Sequence, residues 1–402
     1  MKIKQIVKVL SVSMLLLLPT QNETMAKEND TLEVEYHVKR EAFASLKKEL
    51  PARIPRFIYD SGLVFEYPDA IRGIYVTGHS AGGGRFNDLV SLVNKTDLNA
   101  MVIDIKDDWG NVTFKPEESS PYAKIGKDYI KDPMKTLKTL EAENIYPIAR
   151  VVVFKDSVLA KEHPDWSFKE GDTVWKNGRN ESFVNPFLKE VWDYNVGIAI
   201  EAAKMGFQEI QFDYVRFPEG FELRDDELIY SQGDFQNSSE DNIQKRVEAV
   251  TSFVKYAKEQ LEPYGVKVSV DIFGYTATLP EAPGIGQNFS KISKHVDVIS
   301  SMIYPSHWTS YFGISKPDLE PYKLVTEYAK VENNTLAQLE NPPISRPWIQ
   351  DFTATWLGSG NYKVYGKKEV EDQIKALNDQ GIEEFLIWNA GNKYTNGVDY
   401  TP

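Results

Sequence analysis

Gln211-Phe-Asp-Tyr-Val-Arg-Phe-Pro218 decides the fold. Ile210, Phe212 and Tyr214 alternate with Gln211 and Asp213, the two-residue period of a strand. The apolar set suits a face covered by helices. Gln211 and Asp213 then point to the other side, into a shared interior. The stretch ends in a carboxylate, an arginine and a chain-breaking proline. A carboxylate at the C-terminal end of such a strand stands where α/β barrels do their chemistry. A structural ion pair between Asp213 and Arg216 is the plainer alternative.

Working outward, seven more apolar runs have the same texture: Gly73–Thr77, Ala100–Ile105, Tyr146–Phe154, Lys267–Phe273, Val296–Ile303, Pro347–Phe352 and Glu384–Asn389, with Glu209–Val215 as the fourth of eight. Helix-like stretches lie between them at Arg85–Asn94, Asp132–Glu143, Pro186–Met205, Asp241–Leu261, Gln287–His295, Pro321–Glu332 and Lys368–Asp379. Eight alternations predict an α/β fold, a (β/α)8 TIM barrel over residues 71–402. A doubly wound sheet would use fewer strands for this length. Little chain follows the eighth run, and a helix predicted over Glu33–Leu50 is expected to cover that gap. The stretch from Lys155 to Asn185, after run three, is long enough to form a lid or small subdomain.

The N-terminus reads as an export leader, residues 1–26. Lys2, Lys4 and Lys8 precede an apolar run, Val9 to Leu18, that is too short to span a bilayer, and Thr24-Met25-Ala26 supplies small residues at a cleavage site. An uncleaved signal anchor is the alternative, and no other membrane contact is expected. Residues 27–70 form a charged, helix-favouring N-terminal extension broken by Pro51, Pro55 and Pro68. The expected location is secreted or associated with the cell envelope. There is no cysteine, which removes disulfides, thiol catalysis and Cys-based metal sites. A formal net charge of −13 argues against nucleic acid as a partner.

Strand-end carboxylates are the strongest chemical pattern. Asp213 ends run four, and Asp271 in Lys267-Val-Ser-Val-Asp-Ile-Phe-Gly274 ends run five on the interior-facing side. Asp104 and Asp351 end runs two and seven. Buried carboxylates cost desolvation unless paired, so four at one level are not easily all structural. Glycoside hydrolysis needs two carboxyl groups beside the scissile bond, one to give a proton and one to attack the sugar or activate water. Asp213 and Asp271 are the expected pair, with the roles and the stereochemistry open. Rim residues Trp109, Tyr304, Trp308, Trp356 and Trp388 suit the apolar faces of sugar rings, although Trp388 and Trp348 also suit a core. Arg150, Arg216, Gln350 and Asn389 suit hydroxyl groups. Asp104 and Asp351 are expected to support or bind the sugar.

Two other patterns compete. Gly78-His79-Ser80-Ala81-Gly82 matches a nucleophile elbow, and with His163, His295 or His307 would make a serine esterase using Ser80. Little strand character precedes it, against the requirement of that fold. Asp104, Asp107 and Asp108 are oxygen ligands suited to calcium or magnesium. The five scattered histidines lack metal-ligand spacing, and no nucleotide-binding glycine motif occurs. The expectation is no metal and no cofactor.

Arg72-Gly-Ile-Tyr-Val-Thr77, Val102-Ile-Asp-Ile-Lys-Asp-Asp-Trp-Gly110, Phe212-Asp-Tyr-Val-Arg-Phe-Pro218, Val270-Asp-Ile-Phe-Gly274, Met302-Ile-Tyr-Pro-Ser-His-Trp308 and Trp348-Ile-Gln-Asp-Phe352 come in a characteristic order. The set resembles the glycoside hydrolase-like domain of exported bacterial proteins, over roughly residues 71–400. The resemblance implies a (β/α)8 barrel acting on, or derived from enzymes acting on, polysaccharide, with Asp213 at the expected catalytic position. No strand-end glutamate stands out as the acid, a departure from commoner glycosidases. The expected function is cleavage of a cell-wall or extracellular polysaccharide. The alternative is a non-catalytic carbohydrate-binding barrel of the cell envelope.

Overall fold

The computed structural model describes residues 58–402. The predicted leader, the extension up to residue 57 and the helix over Glu33–Leu50 lie outside the described residues. Eight parallel strands form one sheet: β1 Arg72–Val76, β2 Ala100–Lys106, β3 Tyr146–Val152, β4 Glu209–Asp213, β5 Lys267–Phe273, β6 Val298–Met302, β7 Trp348–Gln350 and β8 Phe385–Trp388. Neighbours pair in chain order, β8 pairs with β1, and the Trp348–Met302 bridge joins β7 to β6, so the sheet closes. The chain is a (β/α)8 barrel.

Helices α1 Arg85–Asn94, α2 Pro133–Ala142, α3 Lys189–Met205, α4 Asn242–Leu261, α5 Phe289–Ser293, α6 Pro321–Leu336 and α7 Lys367–Asn378 cover the outside. Their starts follow local chemistry. Asp132 caps α2 by accepting from Lys135 N at 2.9 Å, with Pro133 at the first helical position, and Asp241 caps α4 through Gln244 N at 2.8 Å. Gly206, at φ +113°, ends α3 in the left-handed region that favours glycine. The buried side of α4 (Val247, Val250, Phe253, Val254, Ala257 and Leu261) follows the 3.6-residue period that seats a helix on the sheet.

Among the described residues, coil follows β8. Past β8, Tyr394, Val398 and Tyr400 bury themselves, the Tyr394 hydroxyl donates to Tyr75 O, and Asp399 N donates to Glu371 at 2.7 Å. The chain from Lys155 to Asn185 folds into helix Ser157–Glu162 and a hairpin of Lys169–Glu170 with Thr173–Val174, anchored by buried Phe168, Phe183 and Val184.

The two barrel ends differ in chemistry. At the N-terminal end, buried Arg346 donates to Glu209 and Glu384 at 2.7 Å each and to the Tyr67 hydroxyl at 2.8 Å. The segment before β1 therefore helps to seal that end. The other end opens into a cavity of about 630 Å³. Among the described residues, no helix is long and apolar enough to cross a membrane.

Candidate active site

Pairing places the two predicted carboxylates side by side. The β4–β5 register runs Gln211 to Ser269 and Phe212 to Val270. One further step brings Asp213 level with Asp271, on strands that run about 4.8 Å apart. Both side chains line the cavity, with residues only 4% and 2% exposed.

Arg150, two residues below that level on β3, organises the floor. Its Nε and Nη2 donate to Asp213 Oδ2 at 3.0 and 2.6 Å, its Nη1 to Asp104 Oδ1 at 2.7 Å, and its Nη2 also to Asp108 Oδ1 at 2.8 Å. The guanidinium lies 5.5 and 5.4 Å from the ring centres of Tyr75 and Trp388, which stack on each other 4.1 Å apart. Such a rigid fork holds several carboxylates at fixed angles, as a lysine cannot. Tyr214 N donates to Asp213 Oδ1 at 2.6 Å. Both Asp213 oxygens therefore accept N–H bonds, an arrangement that suits a carboxylate.

Asp271 sits in a different environment. Its Oδ1 accepts from Trp348 Nε1 at 2.8 Å. Burial first, and the charge of Asp213 second, push its pKa well above the usual carboxylate range. The two carboxyl groups thus have opposed surroundings: Asp213 is met by three N–H donors of Arg150 and Tyr214, Asp271 by the single indole N–H of Trp348. Burial also pushes Asp104 up to about 6, against the pull of Arg150, while its Oδ2 accepts from the Tyr75 hydroxyl at 2.5 Å. Asp108 goes the other way: burial would raise it, but Arg150 and Lys155 together hold it down at about 2.

Tyr304, Trp308, Arg216, Trp348 and Trp388 also line the cavity. Burial, then Asp271 and Asp213, raise the Tyr304 phenol, so it stays a neutral hydroxyl. Arg216 is buried with its guanidinium 4.8 Å from the Tyr214 ring and 4.7 Å from that of Phe273, and donates to Phe217 O and Glu219 rather than to Asp213. The simple Asp213–Arg216 pair is therefore replaced by Asp213–Arg150.

Four rim expectations are corrected. Trp109 is 53% exposed and outside the cavity lining: the turn from Asp107 to Gly110 puts its indole in solvent. Gln350 is fully buried, accepting from Ser306 N and donating to Asp318 and Phe352 O. Asp351 pins the C-terminal coil through Thr395 N at 2.8 Å and Thr395 Oγ1 at 2.6 Å. Asn389 bonds Asp351 O and Lys393 O, folding its own turn. All three are loop fasteners.

The Ser80 elbow is also corrected. It lies in the helical turn Gly78–Gly82, outside the cavity lining, with its N–H donating to Thr77 Oγ1. None of the three proposed histidines serves it: His163 stacks on Trp166, His307 Nδ1 bonds with Ser306 Oγ, and His295 stands between α5 and the start of β6, at the other end of the barrel. The Asp104, Asp107 and Asp108 carboxylates diverge, because Asp107 accepts from Trp109 N and Asn111 N while its neighbours meet Arg150.

Sequence reading missed Tyr214, Tyr275, His307, Tyr311 and Arg179 as cavity residues. Tyr214 was expected to face helices. Its φ of +53° ends β4 and turns the ring to the mouth, where Lys155 Nζ lies 4.0 Å from the ring centre. Position after a strand-end aspartate was the one available signal.

Comparison with known proteins fits this architecture. A solved hypothetical protein from Ruminiclostridium thermocellum ATCC 27405 is 35% identical, covering 49% of this chain and 96% of that one, with a TM-score of 0.42. The glycoside hydrolase domain of PgaB (BpsB) from Bordetella bronchiseptica is 14% identical over 80% of this chain and 94% of that one, with a TM-score of 0.56. A beta-galactosidase from the psychrophilic Marinomonas ef1 is 13% identical over 79% and 53%, with a TM-score of 0.51. The last two show likeness of fold. No curated protein matches the chain. Residues 73–394, nearly all of the barrel, match the family described as "Putative glycosyl hydrolase domain", and the chain belongs to that family.

Proposed function

We propose that this glycosidase-like barrel is an exported enzyme that hydrolyses glycosidic bonds of a cell-wall or extracellular polysaccharide. One observation carries the reading: Asp271, its pKa raised by burial and by the neighbouring Asp213, stands beside an arginine-clamped Asp213 in one open cavity. Asp271 gives its proton to the glycosidic oxygen as the bond from that oxygen to the anomeric carbon breaks. The leaving sugar departs as an alcohol. Asp213 forms the new bond to the anomeric carbon. Asp271, now ionised, takes a proton from water, whose oxygen displaces Asp213 and restores both carboxyl groups. Adjacent-strand spacing of about 4.8 Å suits the ~5–5.5 Å separation of retaining enzymes better than the wider inverting gap. Arg150 orients Asp213, and the Tyr304 hydroxyl and Arg216 are placed to bond substrate hydroxyls.

Reducing-end release from purified cell-wall and exopolysaccharide fractions tests the reading. Asp271→Asn is expected to lower kcat by about 10²–10⁴. Asp213→Asn should abolish turnover, with the thermal transition of either variant within a few degrees of wild type. Proton NMR of the first-formed product should show the anomeric configuration of the substrate. Tight glycan binding by the wild type with no released ends would favour the non-catalytic alternative. Export is supported by the basic, apolar and small-residue segments of the leader, and detection of the chain only inside cells would reject it.

A further inference from the structure

Trp356 is 64% exposed, yet it is not an isolated surface residue. It stands on the turn Thr355–Leu357 that follows β7. One face of its indole lies on Phe352, with ring centres 5.8 Å apart and planes 23° apart. Phe352 in turn meets Tyr304 at 5.9 Å, and His307 stands edge-on to Trp356 at 6.3 Å. Tyr304 and His307 line the cavity, whereas Trp356 does not. A run of touching rings therefore begins at the cavity wall and ends in open solvent.

Packing explains only the inner face of this indole. The outer face is a fixed apolar plane held in water at the rim of the cavity, and lone exposed apolar residues need no such support. Its orientation is set before any ligand arrives, so little freedom is lost when one binds. A pyranose ring has the matching form: a face of C–H groups with hydroxyls around its edge. Stacked on the indole it would cover the apolar plane and leave its hydroxyls in water.

We infer that Trp356 is a distal saccharide subsite, holding a sugar unit of the same glycan whose other end occupies the cavity at Asp213 and Asp271. This rests on the reading of the cavity as a glycan-cleaving site. It makes the ligand a polymer or long oligosaccharide that extends beyond the cavity over the loop after β7.

The test is affinity electrophoresis of the full chain in gels containing glycol chitosan, hydroxyethylcellulose, galactan or polygalacturonate. Asp271→Asn serves as the parent, so that cleavage does not shorten the polymer during the run. At least one polymer is expected to retard the parent, and adding Trp356→Ala should weaken that retardation at least fivefold. Trp356→Phe should recover most of it. Circular dichroism should show both variants folded. Unchanged mobility of the Trp356→Ala variant in a gel that retards its parent would overturn the inference, as would a parent that none of the four polymers retards. Reducing ends released by the wild type from the same polymers are counted separately. Retardation that depends on Trp356 without any released ends would keep the subsite and reject hydrolysis.

Discussion

Asp271 and Asp104 are both raised carboxyl groups, and they predict different pH effects. Asp271 must hold its proton to act as the acid, so kcat should fall as pH rises through its raised pKa, and Asp271→Asn should lose that limb of the profile. A profile whose alkaline limb survives in Asp271→Asn would reassign the acid. Asp104 governs stability. Its pKa rises from an unfolded value of ~3.9 to about 6 in the fold, so the folded state holds the proton more tightly. Its stabilising contribution is complete below about pH 4 and is lost as pH rises through 6, a change on the order of 3 kcal/mol. Asp104→Asn keeps an oxygen for Arg150 and lets the Tyr75 hydroxyl accept instead of donate. Denaturant melts should therefore show wild type losing stability relative to Asp104→Asn between pH 4 and 6, with a constant difference above. The importance of Asp213 and Asp271 was legible because alternation fixes which face a strand residue takes. The clamp was not, because Arg150 reaches Asp213 from 63 positions away in sequence.

Strand interiors were readable from apolar runs, whereas strand ends were not. Tyr214 continues the alternating pattern of β4 in sequence, but its positive φ breaks the strand and redirects the ring. Gln350, Asp351 and Asn389 have the composition of a binding rim, yet each is consumed by loop hydrogen bonds made after the strands end. The turn following β2 shows how tightly such loops are built. Gly110 has φ +99°, and a side-chain carbon there would sit 1.9 Å from Asp156 Oδ1. Asp156 is itself buried against Lys106, 2.6 Å from its Nζ. Gly110→Ala should therefore meet both backbone strain and a displaced ion pair. The expected cost is about 2–4 kcal/mol. Urea melts check this, and a loss below 1 kcal/mol would mean that the turn relaxes freely.

Across the whole molecule, charge is divided between the barrel's ends for different purposes. The open end exposes its carboxylates to a cavity, while the closed end seals Arg346 between Glu209 and Glu384 with Tyr67 above them. The eightfold alternation of apolar runs was enough to make the barrel legible, but Arg346, two residues before β7, gave no sign of its two distant partners. Arg346→Met removes the only cation that the described residues place between those glutamates, leaving buried charge unpaired. Breaking such a group costs about 3–5 kcal/mol. The open end should be untouched: the protein that remains folded should keep the wild-type pH profile of kcat on whichever glycan it cleaves. Thermal melts, with kinetics well below the transition, separate the two effects. A stable Arg346→Met protein would remove the closed end's role in stability, and a moved kcat profile would show that the ends of the barrel are coupled.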